Sequence, residues 1–109
     1  MPVRKIFSGA AVLAVFGLVL SLPVVAQDNA AADNFNKKCA VCHGKDGAGN
    51  TAKGKKVHVK PVQENMKDSE AAMIKAVTDG KGDDMDSYKS EFSADQIKAL
   101  VEYYRSLGK

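Results

Sequence analysis

The stretch of this sequence best equipped for chemistry is Cys39-Ala40-Val41-Cys42-His43. Residues three and four apart share one face of a helical turn, so the two thiols and the imidazole can address a single flat molecule. Cys-x-x-Cys-His is the attachment pattern of c-type haem, in which the thiols form thioethers and the histidine binds iron. The spacing therefore predicts one covalently attached haem c, held by Cys39 and Cys42, with His43 as an axial iron ligand.

The second axial ligand is predicted at Met85, inside the polar, glycine-rich segment of residues 80–88. A methionine there has no local apolar partner, and a thioether ligand raises the reduction potential of haem iron. The alternative is that Met85 fills a gap in the core, as methionine often does. Three rivals are placed less well: Met73 lies on an apolar helix stripe, Met66 just before that helix, and His58 in a lysine-rich stretch.

Residues 1–26 have the pattern of a cleaved secretory signal, which predicts a periplasmic protein. A basic start, Arg4 and Lys5, is followed by an uncharged apolar run and then by the small residue Ala26. Cleavage is expected after Ala26, with a second candidate site after Ala32. The alternative is a retained membrane anchor, because the apolar run is near the lower limit for spanning a bilayer. Membrane contact is expected only in that case.

Residues 27–109 are enough for one small domain, which buries little surface and often needs a cofactor for stability. Both cysteines lie in the one motif, so the sequence offers no structural disulfide. Seven lysines and one acid lie in residues 37–60, whereas ten acids and five lysines lie in residues 64–102. This separation of charge argues against nucleic acid as a partner and favours the Lys37–Lys60 region as a docking surface for redox proteins.

The first element that positions these side chains is a helix predicted at about residues 31–42. Phe35 is its main apolar anchor. Residues 44–61 then read as a loop dense in glycine and lysine, closed by Pro61. A structureless loop of this length is unusual in an ordinary small domain. It is consistent with a chain that wraps around a flat cofactor.

Two further helices follow. One is predicted at about residues 69–78, with Asp68 or Ser69 as its cap and Gly80 after its end. The other begins at a capping box formed by Ser93 and Gln96. Because no segment alternates between apolar and polar residues, the predicted fold class is all-α, with three main helices and long loops around one haem.

Taken together, these features resemble the small class I c-type cytochromes of bacteria, over nearly all of residues 31–108. The resemblance rests on four features. Phe35 lies four positions before the first cysteine, and residues 39–43 form the haem motif. Gly80-Lys81-Gly82 precedes the loop methionine, and the closing helix ends in the aromatic stretch of residues 103–107. It implies thioethers at Cys39 and Cys42 and axial ligands His43 and Met85.

The resemblance also implies contacts around the site. The first and last helices should pack together, which would bring Phe35 against Leu100 and against Tyr103 or Tyr104. Pro61 would correspond to the proline whose carbonyl orients the proximal imidazole. Tyr88 is a candidate partner for a haem propionate. One departure is Asp86, which follows Met85 where family members commonly have proline, and it predicts a weaker iron–sulfur bond.

The function predicted from these residues is that of a one-electron carrier and not an enzyme, since six-coordinate iron leaves no open position for a substrate. One alternative is a haem protein with a labile Met85 that binds small molecules or acts as a peroxidase, favoured by Asp83, Asp84 and Asp86 around the ligand. Another is a thiol–disulfide oxidoreductase that uses Cys39 and Cys42 without haem. That function needs a strand–helix context, and the sequence offers no strand.

Overall fold

The computed structural model describes residue 17 and residues 25–109. This part of the chain contains no strand and six helices: α1 Val25–Lys38, α2 Ala40–His43, α3 Ala52–Lys56, α4 Val62–Asn65, α5 Glu70–Asp79 and α6 Ala94–Ser106. The long helices α1 and α5 both pack against α6, while the short helices lie in the connections. The predicted all-α fold with three main helices is therefore confirmed.

The predicted signal segment lies outside the described residues, apart from residue 17 and the first two residues of α1. Cleavage after Ala26 and a domain over residues 27–109 thus remain predictions. Among the helices that are described, none is long and apolar enough to cross a membrane.

The core is centred on the contact between α1 and α6. Phe35 and Leu100 are both almost fully buried in one apolar cluster. The Phe35 ring meets the ring of Tyr103 edge-on at a centroid distance of 5.4 Å and stacks on that of Tyr104 at 6.0 Å. The predicted contacts of Phe35 are confirmed. Burial of an aromatic anchor of this kind is worth several kcal/mol, about 3–5 on truncation to alanine.

Both later helices begin at the caps that the sequence indicates. The Ser93 hydroxyl accepts a hydrogen bond from the Gln96 N–H at 3.2 Å, and the Gln96 side chain accepts one from the Ser93 N–H at 2.9 Å. The Ser69 hydroxyl caps α5 by accepting from the Ala72 N–H at 3.1 Å. Gly80 ends that helix with a φ of 77°, a conformation that favours glycine.

The first predicted helix is interrupted, which corrects the sequence prediction. It begins earlier than expected, ends at Lys38, and resumes as α2 after Cys39. The interruption is slight, because the Cys39 N–H still donates to the Phe35 carbonyl at 2.8 Å and the His43 N–H donates to the Cys39 carbonyl at 2.9 Å. The haem motif therefore continues from a helix that is fixed by the core.

The predicted loop of residues 44–61 is also corrected, since it contains α3. Thr51 caps that helix by accepting from the Gly54 N–H at 2.8 Å, and its hydroxyl lies 2.7 Å from the Val41 carbonyl oxygen. Gly54 approaches the Cys42 carbonyl so closely that a Cβ on Gly54 would overlap this oxygen. The loop is thus fastened to the back of the Cys-x-x-Cys-His turn.

Candidate cofactor site

A cavity of about 400 Å³ lies between the Cys-x-x-Cys-His turn, the connection after α3, α5, the segment after α5, and α6. This volume is within the range of roughly 300–1,000 Å³ that is typical of small-molecule and cofactor sites. Its wall includes all four residues predicted to hold haem: Cys39, Cys42, His43 and Met85. The structure therefore brings together side chains that are up to 46 positions apart in the sequence.

The two cysteines are half-buried free thiols at the start and end of the short turn. Burial, together with smaller contributions from the neighbouring Cys42 and Glu91, raises the pKa of the Cys39 thiol to about 11. Thiol–disulfide exchange requires a thiolate, and reactive cysteines have a lowered pKa. A neutral thiol between two helical segments therefore argues against the thiol–disulfide oxidoreductase alternative.

His43 is the last residue of α2, and its ring lies against two aromatic rings. The centroid distances are 5.1 Å to Tyr104 and 6.4 Å to Phe35. Burial lowers the pKa of His43, and the positive charge of Lys81 lowers it further, so the imidazole is neutral and able to bind a metal. Its Nδ1 is buried and has no hydrogen-bond partner among residues 25–109, which leaves Nε2 as the nitrogen available to a ligand in the cavity.

The orientation of His43 differs from what the family resemblance implies. The Pro61 carbonyl, expected to accept a hydrogen bond from the imidazole, instead accepts from the backbone N–H groups of Glu64 and Asn65 at 3.0 and 3.2 Å. Those bonds form the first turn of α4, for which Pro61 is the N-cap residue. Within the described part of the chain, the ring of His43 therefore has aromatic contacts to Tyr104 and Phe35 but no hydrogen bond at Nδ1.

Met85 is half-buried in a segment that is fastened at several points. The Met85 carbonyl accepts a hydrogen bond from the Lys81 N–H at 2.8 Å. The Ser87 hydroxyl donates to the Thr78 carbonyl at 2.6 Å. A Cβ on Gly80 would lie 2.7 Å from the Met85 oxygen, so only glycine fits at this turn. These contacts oppose the looseness that the absence of a proline after Met85 suggests.

The rival iron ligands are placed less favourably. Met73 lines the cavity but is buried, with its sulfur 3.5 Å from the Arg105 Nη1. Met66 does not reach the cavity wall. His58 does line the cavity, with an exposed side chain and a φ of 58°, which non-glycine residues rarely adopt.

Sequence reasoning missed two residues of the site. Asn65 and Tyr104 both line the cavity, and the Asn65 side-chain amide donates to the Tyr104 hydroxyl at 2.8 Å. Thirty-nine positions separate them, so no local pattern could have paired them. Tyr88 also lines the cavity, and its hydroxyl lies 3.3 Å from the Lys38 carbonyl oxygen, to which it donates.

The fold and the cavity agree with the comparisons to known proteins. The family model described as cytochrome c oxidase, cbb3-type, subunit III matches residues 26–103. The chain belongs to this family of c-type cytochromes. It is a small class I c-type cytochrome, as the motifs predict.

Two curated proteins are similar in sequence to this cytochrome. Cytochrome c6 of Leptolyngbya boryana is 36% identical over 69 residues, covering 63% of this chain and 79% of the relative. The cbb3-type cytochrome c oxidase subunit FixP of Azorhizobium caulinodans is 34% identical over 84 residues, covering 71% of this chain. The chain spans only 26% of the length of FixP.

The fold is similar to that of a solved c-type cytochrome. The KustC0563 c-type cytochrome superposes with a TM-score of 0.67 at 24% identity, covering 72% of this chain and 98% of its own. Family membership implies haem c as the cofactor, supports an electron-carrier function, and is consistent with redox proteins as partners. Proteins of this kind are typically exported.

The residues of the cavity fit a haem. Two free thiols, a neutral imidazole with one buried nitrogen, and a half-buried thioether share one wall, and these are the ligand types that c-type haem uses. Alanine, valine and leucine side chains from α5 and α6 line much of the rest: Ala72, Ala76, Val77, Leu100 and Val101.

Proposed function

We propose that this cytochrome is a one-electron carrier of the periplasm, with one haem c joined to Cys39 and Cys42 and ligated by His43 and Met85. The observation that supports it most strongly is the single cavity lined by all four of these residues. Residues 1–26, with the pattern of an export signal, support the proposed location.

Each residue has a distinct role in the proposal. When bound, the haem supplies an iron that gains or loses one electron without making or breaking a bond to substrate. The thiols of Cys39 and Cys42 would hold it covalently, and the Nε2 of His43 and the thioether of Met85 would bind its iron. The apolar side chains of α5 and α6 keep water away, and such exclusion of solvent is one of the factors that set the reduction potential.

The proposal predicts the behaviour of the exported, purified protein. Denaturation should leave one haem per chain covalently attached, and redox titration should give a single one-electron transition. The ferrous protein should be six-coordinate and low-spin, and it should not bind carbon monoxide rapidly. Rapid binding of carbon monoxide by the untreated protein would instead support the alternative of a small-molecule-binding haem protein. Absence of haem would contradict both functions.

We also propose that redox partners dock at the side of the cavity formed by α3. The charged residues of the cavity wall balance in sign, with four lysines and four aspartates: Lys38, Lys53, Lys60, Lys81, Asp68, Asp83, Asp84 and Asp86. Lys38 and Lys60 lie 3.7 Å from the carboxylates of Glu91 and Glu64. Lys81 lies in the same segment as Asp83, Asp84 and Asp86. Lys53, Lys55 and Lys56 of α3 are all exposed and form no ion pair within the described part of the chain, so α3 carries a local excess of positive charge.

Small inorganic oxidants can test this surface without knowledge of the natural partner. Oxidation of the ferrous protein by anionic ferricyanide should slow about two- to fivefold when Lys53, Lys55 and Lys56 are changed to glutamine, and oxidation by a cationic cobalt(III) complex should quicken. Added salt should reduce both differences. Lys98→Gln, on the exposed face of α6, is the matched control. Equal rates for the triple variant and wild type would contradict docking at α3.

A further inference from the structure

The ring of His43 is unusual in having no hydrogen bond to fix it. Histidine that ligates a metal almost always donates its other ring N–H to an oxygen atom, and this bond sets the orientation of the ring. Here Nδ1 is buried and has no partner among the described residues. Something else must hold the ring, since a buried imidazole on a two-bond side chain can otherwise rotate.

Tyr104 is the aromatic residue nearest to that imidazole. The two rings meet at a centroid distance of 5.1 Å and an interplanar angle of 64°, an edge-to-face arrangement. Such pairs prefer centroid distances of about 4.5–7 Å and contribute on the order of 1 kcal/mol beyond burial. The Tyr104 ring therefore provides a directional contact to an imidazole whose Nδ1 has no hydrogen bond among the described residues.

Tyr104 is itself fixed from two sides. Its ring stacks on that of Phe35 at 6.0 Å, and its hydroxyl accepts a hydrogen bond from the Asn65 amide at 2.8 Å. The same amide nitrogen lies 3.3 Å from the Lys60 carbonyl oxygen, to which it donates. A continuous set of contacts thus runs from the loop before α4, through Asn65 and Tyr104, to the imidazole.

We propose that Tyr104 is a positioning residue that fixes the rotation of the His43 imidazole, and that Asn65 acts on the imidazole through Tyr104. This inference rests on the proposed function, because it concerns His43 as an iron ligand. Tyr103 does not share the role. Its ring packs edge-on against Phe35 at 5.4 Å, and the aromatic contacts of His43 are with Phe35 and Tyr104.

Electron paramagnetic resonance of the ferric protein tests this directly, since the g values of low-spin haem depend on the orientation of the axial imidazole. Tyr104→Phe removes the acceptor of the hydrogen bond between Asn65 and Tyr104, and Asn65→Ala removes its donor. Both should shift the largest g value in the same direction, and the double variant should show the shift of either single variant. Tyr104→Leu, which also removes the ring, should broaden the signal or split it into several.

Tyr103→Leu is the control, because it removes a similar area of aromatic packing on Phe35. It should lower the melting temperature and leave the g values unchanged. Additive shifts from Tyr104→Phe and Asn65→Ala, no shift from either, or an equal shift from Tyr103→Leu would overturn the inference. Should Tyr104→Leu fail to fold, the two milder variants and their double variant still decide. A wild-type protein without low-spin haem would instead count against the proposed function itself.

Discussion

A variant in which Cys39 and Cys42 are both alanine should lose all covalent haem and most of its helical structure. The thioethers are the only covalent link proposed between haem and chain, so haem staining after denaturing electrophoresis should be absent. Either single alanine variant keeps one thiol and should retain part of the stain. His43→Ala should reduce the yield of haem protein more than either single cysteine variant, because it removes the iron ligand.

The expected loss of structure follows from how little the chain buries without a cofactor. In the described part of the chain the buried apolar residues are few: Ala31, Phe35, Ala40, Val62, Met73, Ile97, Leu100 and Val101. The cavity of about 400 Å³ lies beside them, and helices of at most 14 residues are marginal in water on their own. Circular dichroism should therefore show a largely unfolded double variant. A cooperative thermal transition with the wild-type midpoint would contradict haem as the core element.

The parts of the fold that the sequence predicted depend on short-range physics. The capping box of Ser93 and Gln96, the Ser69 cap and the Gly80 terminus are each decided within four residues, and all are present. The packing of Phe35 on α6 was predicted only through the family resemblance, since nothing local pairs residues more than 60 positions apart.

The features that the sequence did not predict also have physical explanations. The interruption at Cys39 leaves both flanking hydrogen bonds in place, so no breaker residue marks it. Helix α3 is capped by Thr51, but its five residues, an alanine, three lysines and Gly54, contain no apolar stripe from which a helix could be predicted. The aromatic positioning of His43 could not be predicted, because it depends on a hydrogen bond between α4 and α6.

Met85→Ala should abolish the weak sulfur-to-iron absorption band of the ferric protein and lower its reduction potential. A thioether favours ferrous iron, so its loss should shift the potential by on the order of 0.1 V, within the roughly 0.8 V that axial ligands span. Met66→Ala, Met73→Ala and His58→Ala should leave the band in place. Loss of the band in Met66→Ala or Met73→Ala would instead identify that methionine as the ligand, and a wild-type protein without the band would favour His58.

The strength of the Met85 bond depends on two opposing features of its loop. Asp86 lacks the fixed backbone angle of a proline, and three aspartates repel one another around the ligand. Against this, the Lys81 N–H holds the Met85 carbonyl, and the Ser87 hydroxyl ties the loop to the end of α5. Displacement of Met85 by added imidazole in the ferric protein measures the balance between these features.

Ser87→Ala should make that displacement easier, because it removes the 2.6 Å hydrogen bond to the Thr78 carbonyl. A bond of this kind contributes roughly 0.5–1.5 kcal/mol, which corresponds to an increase of up to about tenfold in the apparent affinity for imidazole. Ser90→Ala, at an exposed serine beyond the loop, is the matched control. Asp86→Pro should make displacement harder, because proline fixes the backbone angle of the residue after Met85. The substitution is compatible with the loop, since the Asp86 N–H donates no backbone hydrogen bond that proline would remove. Equal imidazole affinities for Ser87→Ala and Ser90→Ala would show that the anchor does not restrain Met85.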